Sequence, residues 1–279
     1  MNIRQLHPHF VGEVSDFDLT RPLGDARLRA LIDAMDQYGI LIFRNTGLTD
    51  ETHIALSRQL GELELAPFFS LRRLRYPELF DAGNLGRDGS ILQDERRQLY
   101  NKGNALWHTD SSFNPHRASY SLLLAHELPP VGGDTWFADM RAAYDALPDE
   151  RKLEIEDLVV EHWLWHSRML AGFPPPTEEE IAAKPPARHR LVQTHPGSGR
   201  KHLYIAAHAE HIVGWPKDKG LALIRELMDF ATQDQFVYEA QWRQPGDLII
   251  WDNRCTMHRA TEFDDRTLRR DMRRTTVLE

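Results

Sequence analysis

Cysteine is almost missing from this chain: Cys255 is the only one in 279 residues, so no intrachain disulfide can form. Long apolar runs are missing too. Nothing approaches the roughly 20 residues needed to span a bilayer, and the opening MNIRQLHPHF lacks the hydrophobic stretch of a signal peptide. Positive charge is in deficit, with 34 Lys and Arg against 42 Asp and Glu and a formal net charge of −8. No basic stripe is left for a nucleic-acid backbone. There is no internal repeat and no low-complexity tract. Together these absences lead us to expect a cytoplasmic globular protein with neither a membrane nor a nucleic acid as partner. What the chain does have is 41% hydrophobic residues, enough for a large core, and its length is ordinary for one all-β domain with added helices.

The first hundred residues read as helices and a buried strand. Leu28, Leu31, Ile32 and Met35 recur at helical spacing over Asp25 to Tyr38, with Asp25 as N-cap and Gly39 as stop. Ile40 to Phe43 reads as a buried strand, and Thr49 to Leu60 as a second helix with Asp50 and Glu51 in its first turn. From Leu65 to Gly103 periodicity fails, and the mixture of arginines and glycines reads as an irregular loop over a site. Beyond Asn104 short apolar segments recur at Ala105 to Trp107, Ser119 to Ala125, Thr135 to Ala138, Leu191 to Thr194, His202 to Ala206, Phe236 to Trp242, Asp247 to Trp251 and Arg273 to Leu278. They predict an antiparallel double sheet. Helices interrupt it at Asp139 to Leu147, Glu150 to Val159 and Pro216 to Ala231, and Gly172 to Ala187, with five prolines, reads as a surface loop.

The chemistry concentrates at His108-Thr109-Asp110. On an extended segment residues two apart point to one side, so this triplet can offer two metal ligands at once. An isolated H-x-D arises by chance in many chains of this size. Joined by His258 it makes two histidines and one carboxylate, the facial triad of non-haem iron(II) oxygenases, with three coordination positions left open. Trp107 and Trp251 supply apolar walls. In Arg269-Arg270-Asp271-Met272-Arg273-Arg274 the alternation would place Arg270 and Arg274 on one side of a strand, and a guanidinium fork binds a carboxylate bidentately. Other motifs carry less: Gly197 to Lys201 does not fit a phosphate loop, His162 and His166 lack the glutamate of H-E-x-x-H, and Cys255 has no evident catalytic partner.

Several blocks carry a resemblance: Leu106 to Phe113, Gly132 to Thr135, Phe137 to Tyr144, Thr194 to Lys201, Trp251 to Arg254 with His258-Arg259, and Arg269 to Thr276. In these the chain resembles the iron(II)- and 2-oxoglutarate-dependent dioxygenases of the taurine dioxygenase and 2,4-dichlorophenoxyacetate dioxygenase family, closer to the second branch. The resemblance implies a mainly β, α+β fold with a double-stranded β-helix (jelly roll) core flanked by helices. It implies one dioxygenase domain over 1–279, with residues 1–103 as an N-terminal part and 104–279 as the core. Such families often self-associate, which leaves a homo-oligomer open.

By resemblance, His108, Asp110 and His258 ligate Fe(II), and Arg270 with the Thr135 hydroxyl holds the distal carboxylate of 2-oxoglutarate. Arg274, His208 and His195 match residues near a substrate carboxylate. The implied reaction consumes O2 and 2-oxoglutarate, hydroxylates a small organic carboxylate of the aryloxyalkanoate kind, and yields succinate and CO2. Hydroxylation next to an ether oxygen leads to cleavage into a phenol and an oxo acid. Asp110 argues against halogenation, since halogenating relatives replace that carboxylate. One departure matters: where the 2,4-dichlorophenoxyacetate enzyme has lysines in the N-terminal loop, this chain has Phe68, Phe69 and Ser90 and no lysine before Lys102. That points to a more aromatic, less basic pocket for another aryl carboxylate. Two alternatives stand beside this reading, a taurine-type sulfonate or alkyl-anion dioxygenase and a non-catalytic metal-binding jelly-roll module.

Overall fold

Three strands built around apolar runs, each sending alternate side chains to opposite faces, determine the architecture. The computed structural model describes residues 1–66 and 73–279. Fifteen strands follow in chain order: β1 (Asn2–Gln5), β2 (Gly12–Ser15), β3 (Ile40–Phe43), β4 (Phe80–Asp81), β5 (Ala118–Glu127), β6 (Thr135–Asp139), β7 (Val159–His162), β8 (Ala187–Arg190), β9 (Val192–Thr194), β10 (Lys201–Leu203), β11 (Ala209–Ile212), β12 (Val237–Ala240), β13 (Leu248–Asp252), β14 (Thr256–Ala260) and β15 (Asp271–Leu278). The helices are α1 (Gly24–Tyr38), α2 (Asp50–Leu60), α3 (Glu95–Asn104), α4 (Met140–Ala146), α5 (Asp149–Ile155), α6 (Leu164–Leu170), α7 (Glu178–Ala183) and α8 (Lys217–Ala231). None is long and apolar enough to cross a membrane among the described residues.

The main sheet runs β1-β2-β3-β13-β5-β15-β4, and a smaller one runs β12-β6-β14. In β3, β13 and β5 the odd-even alternation separates two cores. Leu41 and Phe43, Leu248 and Ile250, and Leu122 and Leu124 pack under α1 and α2 with Leu31, Met35 and Ile54. Ile40 and Ile42, Ile249 and Trp251, and Leu123 and Ala125 face the smaller sheet, meeting Phe137 and Ala240. Both faces are covered, which is why these strands read as continuous apolar runs rather than as alternating ones. The outer face of the smaller sheet, through Ala138 and Met257, packs on α4 and α8. This is the jelly-roll core flanked by helices expected from the sequence.

Several local expectations differ. The segment Ala105 to Trp107 is not a strand: α3 occupies 95–104 within the stretch read as loop, and the chain turns before His108. No residue of α3 is buried, so it carries no apolar stripe to betray it. A short helix, α7, begins in the proline-rich segment behind a Thr177 capping box. The helix read over Glu150 to Val159 ends at Ile155, and Val159 opens β7. Thr49 caps α2 as its first turn suggested, whereas α1 starts at Gly24 with no side-chain cap from Asp25. Gly39 does end α1, at φ 68°.

Buried histidines make the fold acid-sensitive. His53, His162 and His202 are desolvated, and burial pulls each from 6.5 to about 3. The unfolded chain therefore binds protons near pH 6.5 that the folded chain refuses until about pH 3. Stability is full above that window and falls as pH drops through it, by up to about 1.4 kcal/mol per pH unit for each histidine. Urea denaturation should give a constant midpoint from pH 8 to 7 and a falling one from pH 6.5 to 5. A midpoint unchanged down to pH 5 would contradict this assignment.

Candidate active site

His108 is brought to His258 by the backbone. An isolated antiparallel bridge extends the smaller sheet by one residue, with His108 N–H donating to the His258 carbonyl at 2.9 Å and His258 N–H to the His108 carbonyl at 2.7 Å. The two imidazole centroids lie 4.2 Å apart. His108 Nδ1 donates to the Leu106 carbonyl at 2.7 Å, which leaves the lone pair of Nε2 free to act as a ligand. Trp251 packs on the His258 ring at 4.6 Å.

Asp110 arrives differently from expectation. It does not sit two along a strand from His108 but opens a turn over 110–113. The turn still aims its carboxylate at the histidines, and ligand atoms of His108, Asp110 and His258 all lie within 4.8 Å of one another. Asp110 Oδ2 is 3.7 Å from His258 Nε2 and accepts from Ser121 Oγ at 2.7 Å, while Oδ1 accepts from Arg274 Nη1. Burial is the strongest influence on the Asp110 carboxyl and pushes it up, yet Arg274, His258 and His108 together outweigh it and hold it at about 2. Desolvation pulls both histidines down, His258 well below its ordinary value. The donor set is thus two neutral imidazoles and one ionised carboxylate, which fits a divalent metal with open positions.

Asn253 fixes this geometry, and the sequence offered little to single it out. Its Oδ1 accepts from Asp110 N–H at 3.1 Å and Trp251 Nε1 at 2.9 Å, its Nδ2 donates to Ser121 Oγ at 2.9 Å, and its carbonyl takes the Thr109 hydroxyl at 2.6 Å. It stood out only as one member of the Trp251 to Arg254 block, one residue past the end of β13.

Arg270 precedes β15, and a register shift between Asp271 and Met272 interrupts the alternation expected across this stretch. Its buried guanidinium donates to the carbonyls of Ala82 at 2.6 Å and Gly133 at 3.2 Å, and Nε has no partner. Burial, helped by nearby Arg97, lowers it to about 10. A buried cation whose hydrogen bonds go to neutral carbonyls, with the Phe263 ring beneath it and a spare N–H, fits an incoming carboxylate. Gly133 makes room for it, since a Cβ there would lie 3.2 Å from Arg270 Nε. Thr135, two residues on in β6, accepts from Trp242 Nε1 at 3.2 Å, so its own hydroxyl proton is free for an anion.

His208 lies beside the triad, its ring 6.3 Å from that of His108 and 4.9 Å from Phe113, with Nδ1 on Ser112 Oγ at 3.2 Å. His195 does not join this group. Its Nε2 meets Asp252 Oδ2 at 2.9 Å and its Nδ1 accepts from Ser198 N–H at 3.0 Å, so no ring nitrogen is left for a substrate. Nearby Cys255 is buried with its thiol pushed up by desolvation, and Asp252 is also bound by Arg254, which marks a structural cluster. His162 and His166 fall on β7 and α6 rather than on one helix. Phe68 and Phe69 lie outside the described residues. Ser90 is exposed and bonds Asp88 at 2.7 Å.

Two sheets closed around a two-histidine, one-carboxylate group with a buried arginine define a metal-dependent oxygenase of the jelly-roll type. The chain belongs to the taurine catabolism dioxygenase TauD, TfdA family, whose sequence pattern matches residues 2–276. Over 283 aligned positions it is 44% identical to an alpha-ketoglutarate-dependent 2,4-dichlorophenoxyacetate dioxygenase of Burkholderia sp. (strain RASC), covering 100% of this chain and 94% of the relative. A (S)-phenoxypropionate/alpha-ketoglutarate-dioxygenase of Sphingobium herbicidovorans is 36% identical, covering 87% of this chain and 83% of that protein. Among solved structures, AAD-2 in complex with Mn(II) and N-oxalylglycine superimposes with a TM-score of 0.93 at 48% identity, covering 100% of this chain and 97% of that one.

Removing the Asn253 amide should loosen the carboxylate it orients. Asn253→Ala is expected to weaken Mn(II) binding by about 10- to 100-fold, the usual cost of losing such a support, in an electron paramagnetic resonance titration. Wild-type affinity in this variant would show that Asn253 does not position Asp110.

Proposed function

We propose that this chain is an Fe(II)- and 2-oxoglutarate-dependent dioxygenase, with residues 1–279 acting as one domain in the cytoplasm, that hydroxylates an aryloxyalkanoate or related aryl carboxylate. The observation that carries the reading is the convergence of His108, Asp110 and His258 with an anion-ready Arg270 beside them. His108, Asp110 and His258 would hold the metal. Arg270 and Thr135 would take the distal carboxylate of 2-oxoglutarate. Arg274, already at the triad through Asp110, and His208 would face the carboxylate of the substrate. Bound iron supplies the coupling of O2-dependent decarboxylation of 2-oxoglutarate to insertion of one oxygen into a substrate C–H bond.

The residues do the rest by position and charge. Arg274 and Ser121 grip one oxygen each of Asp110, which fixes the orientation in which its carboxylate would meet the metal. Phe137 and Trp251 line the His258 side with apolar surface and exclude water. Charge supports an anionic substrate. Asp110, Arg270, Arg274 and a divalent metal sum to three positive charges; 2-oxoglutarate and one monocarboxylate bring three negative ones. Substitution at a carbon next to an ether oxygen gives a hemiacetal, which collapses to a phenol and an oxo acid. The AAD-2 complex fits this reading, because N-oxalylglycine is the amide isostere of 2-oxoglutarate.

Incubation with Fe(II), 2-oxoglutarate, O2 and phenoxyacetate or phenoxypropionate should release succinate and phenol in equal amounts. No succinate with any aryl or alkyl acid, in protein shown to bind metal, would refute the proposal. Arg270→Ala should raise the 2-oxoglutarate KM by about 10- to 150-fold, corresponding to about 1.5–3 kcal/mol for a charged hydrogen-bonded pair, with metal affinity nearly unchanged. An unchanged KM would remove Arg270 from the cosubstrate site.

A further inference from the structure

Ser111 immediately follows the triad carboxylate and is held at φ 58°, the left-handed region that a residue with a Cβ avoids. Such a conformation persists only where surrounding contacts impose it. His162, His189 and His208 hold Ser112, and Asn253 holds the Asp110 backbone, but the contacts to Ser111 and to the far end of the turn come from Glu64. Glu64 Oε2 accepts from Ser111 Oγ at 2.6 Å, and Glu64 Oε1 accepts from Asn114 Nδ2 at 3.1 Å. Asn114 N–H closes the turn onto the Ser111 carbonyl at 2.9 Å. One carboxylate thus holds both ends of the turn that Asp110 opens.

Glu64 is itself anchored. Its backbone N–H donates to the Thr276 carbonyl at 2.8 Å, next to the bridge between Leu63 and Val277, so its carboxylate is carried by β15. The same strand carries Arg274, which grips Asp110 directly. Its carboxylate is largely withdrawn from water, and burial pushes its pKa up.

We propose that Glu64 is a positioning residue for the metal site: by clamping Ser111 in its left-handed conformation it sets the direction in which Asp110 presents its carboxylate. The inference rests on the triad reading above. It assigns β15 two holds on the metal carboxylate, Arg274 on its oxygen and Glu64 on the turn behind it.

Glycine adopts φ near +60° without a clamp, and this separates the proposal from a general structural role. Mn(II) affinity is read by electron paramagnetic resonance titration of the full chain. Ser111→Ala, which keeps the Cβ but loses the hydroxyl, and Glu64→Ala should each raise the dissociation constant about tenfold or more. Ser111→Gly should stay near wild type, and Glu64→Ala combined with Ser111→Gly should recover most of the loss. Wild-type affinity in Ser111→Ala, or a double variant as weak as Glu64→Ala alone, overturns the clamp; the Ser111 pair decides even where Glu64→Ala does not fold. A wild-type protein that binds no Mn(II) would instead remove the triad reading, and the clamp with it.

Discussion

Keeping the Asp110 carboxylate ionised at 5% exposure is the constraint on which the site depends. Desolvation pushes its pKa up, and a protonated carboxyl is a poor ligand for a divalent ion. The Arg274 guanidinium, the neighbouring histidines and the Ser121 hydroxyl meet that demand, while the Asn253 side-chain oxygen on the Asp110 backbone N–H and the turn through Ser111 fix the direction of the carboxylate. They come from the Asp110 segment itself and from β5, β14, β15 and the end of β13. The carboxylate therefore reports on whether the whole β core has assembled.

The fold supplies those pieces from rigid elements. Ser121 lies on β5, Arg274 on β15 and Trp251 on β13, all pointing from the main sheet toward the smaller one, while His258 and Thr135 come from β14 and β6 of the smaller sheet. The inward faces of these strands are apolar at one end, through Ile249, Leu123 and Met272, and polar where the sheets meet the site. A site built on strands buried on both faces is held by the packing of the core.

Much of this was legible beforehand, and the gaps have physical reasons. β3, β5 and β13 showed themselves as apolar runs, His108, Asp110 and His258 as a two-histidine, one-carboxylate pattern, Arg270 within the arginine run, and Thr135 only through family resemblance. α3 escaped notice because ERRQLYNKGN buries nothing and so shows no apolar periodicity; its start is fixed by the Asp94 side chain capping Arg96 N–H. β14 was missed because its inward residue is the polar His258 rather than an apolar one. The turn at Asp110 could not be foreseen, since a left-handed serine has no signature of its own and depends on Glu64, 47 residues away. His195 and His208 looked alike in sequence; only packing shows that one spends both ring nitrogens on Asp252 and Ser198 while the other faces His108.

The central claim is that one buried pocket holds a divalent metal on His108, Asp110 and His258 and a dicarboxylate on Arg270. A crystal structure of the protein grown with Mn(II) and N-oxalylglycine tests it most directly. The account predicts the metal on those three side chains, with the distal carboxylate of the ligand paired to Arg270 and within reach of the Thr135 hydroxyl. Metal at His195, Asp252 and Cys255 instead, or a ligand carboxylate that leaves Arg270 unpaired, would contradict it.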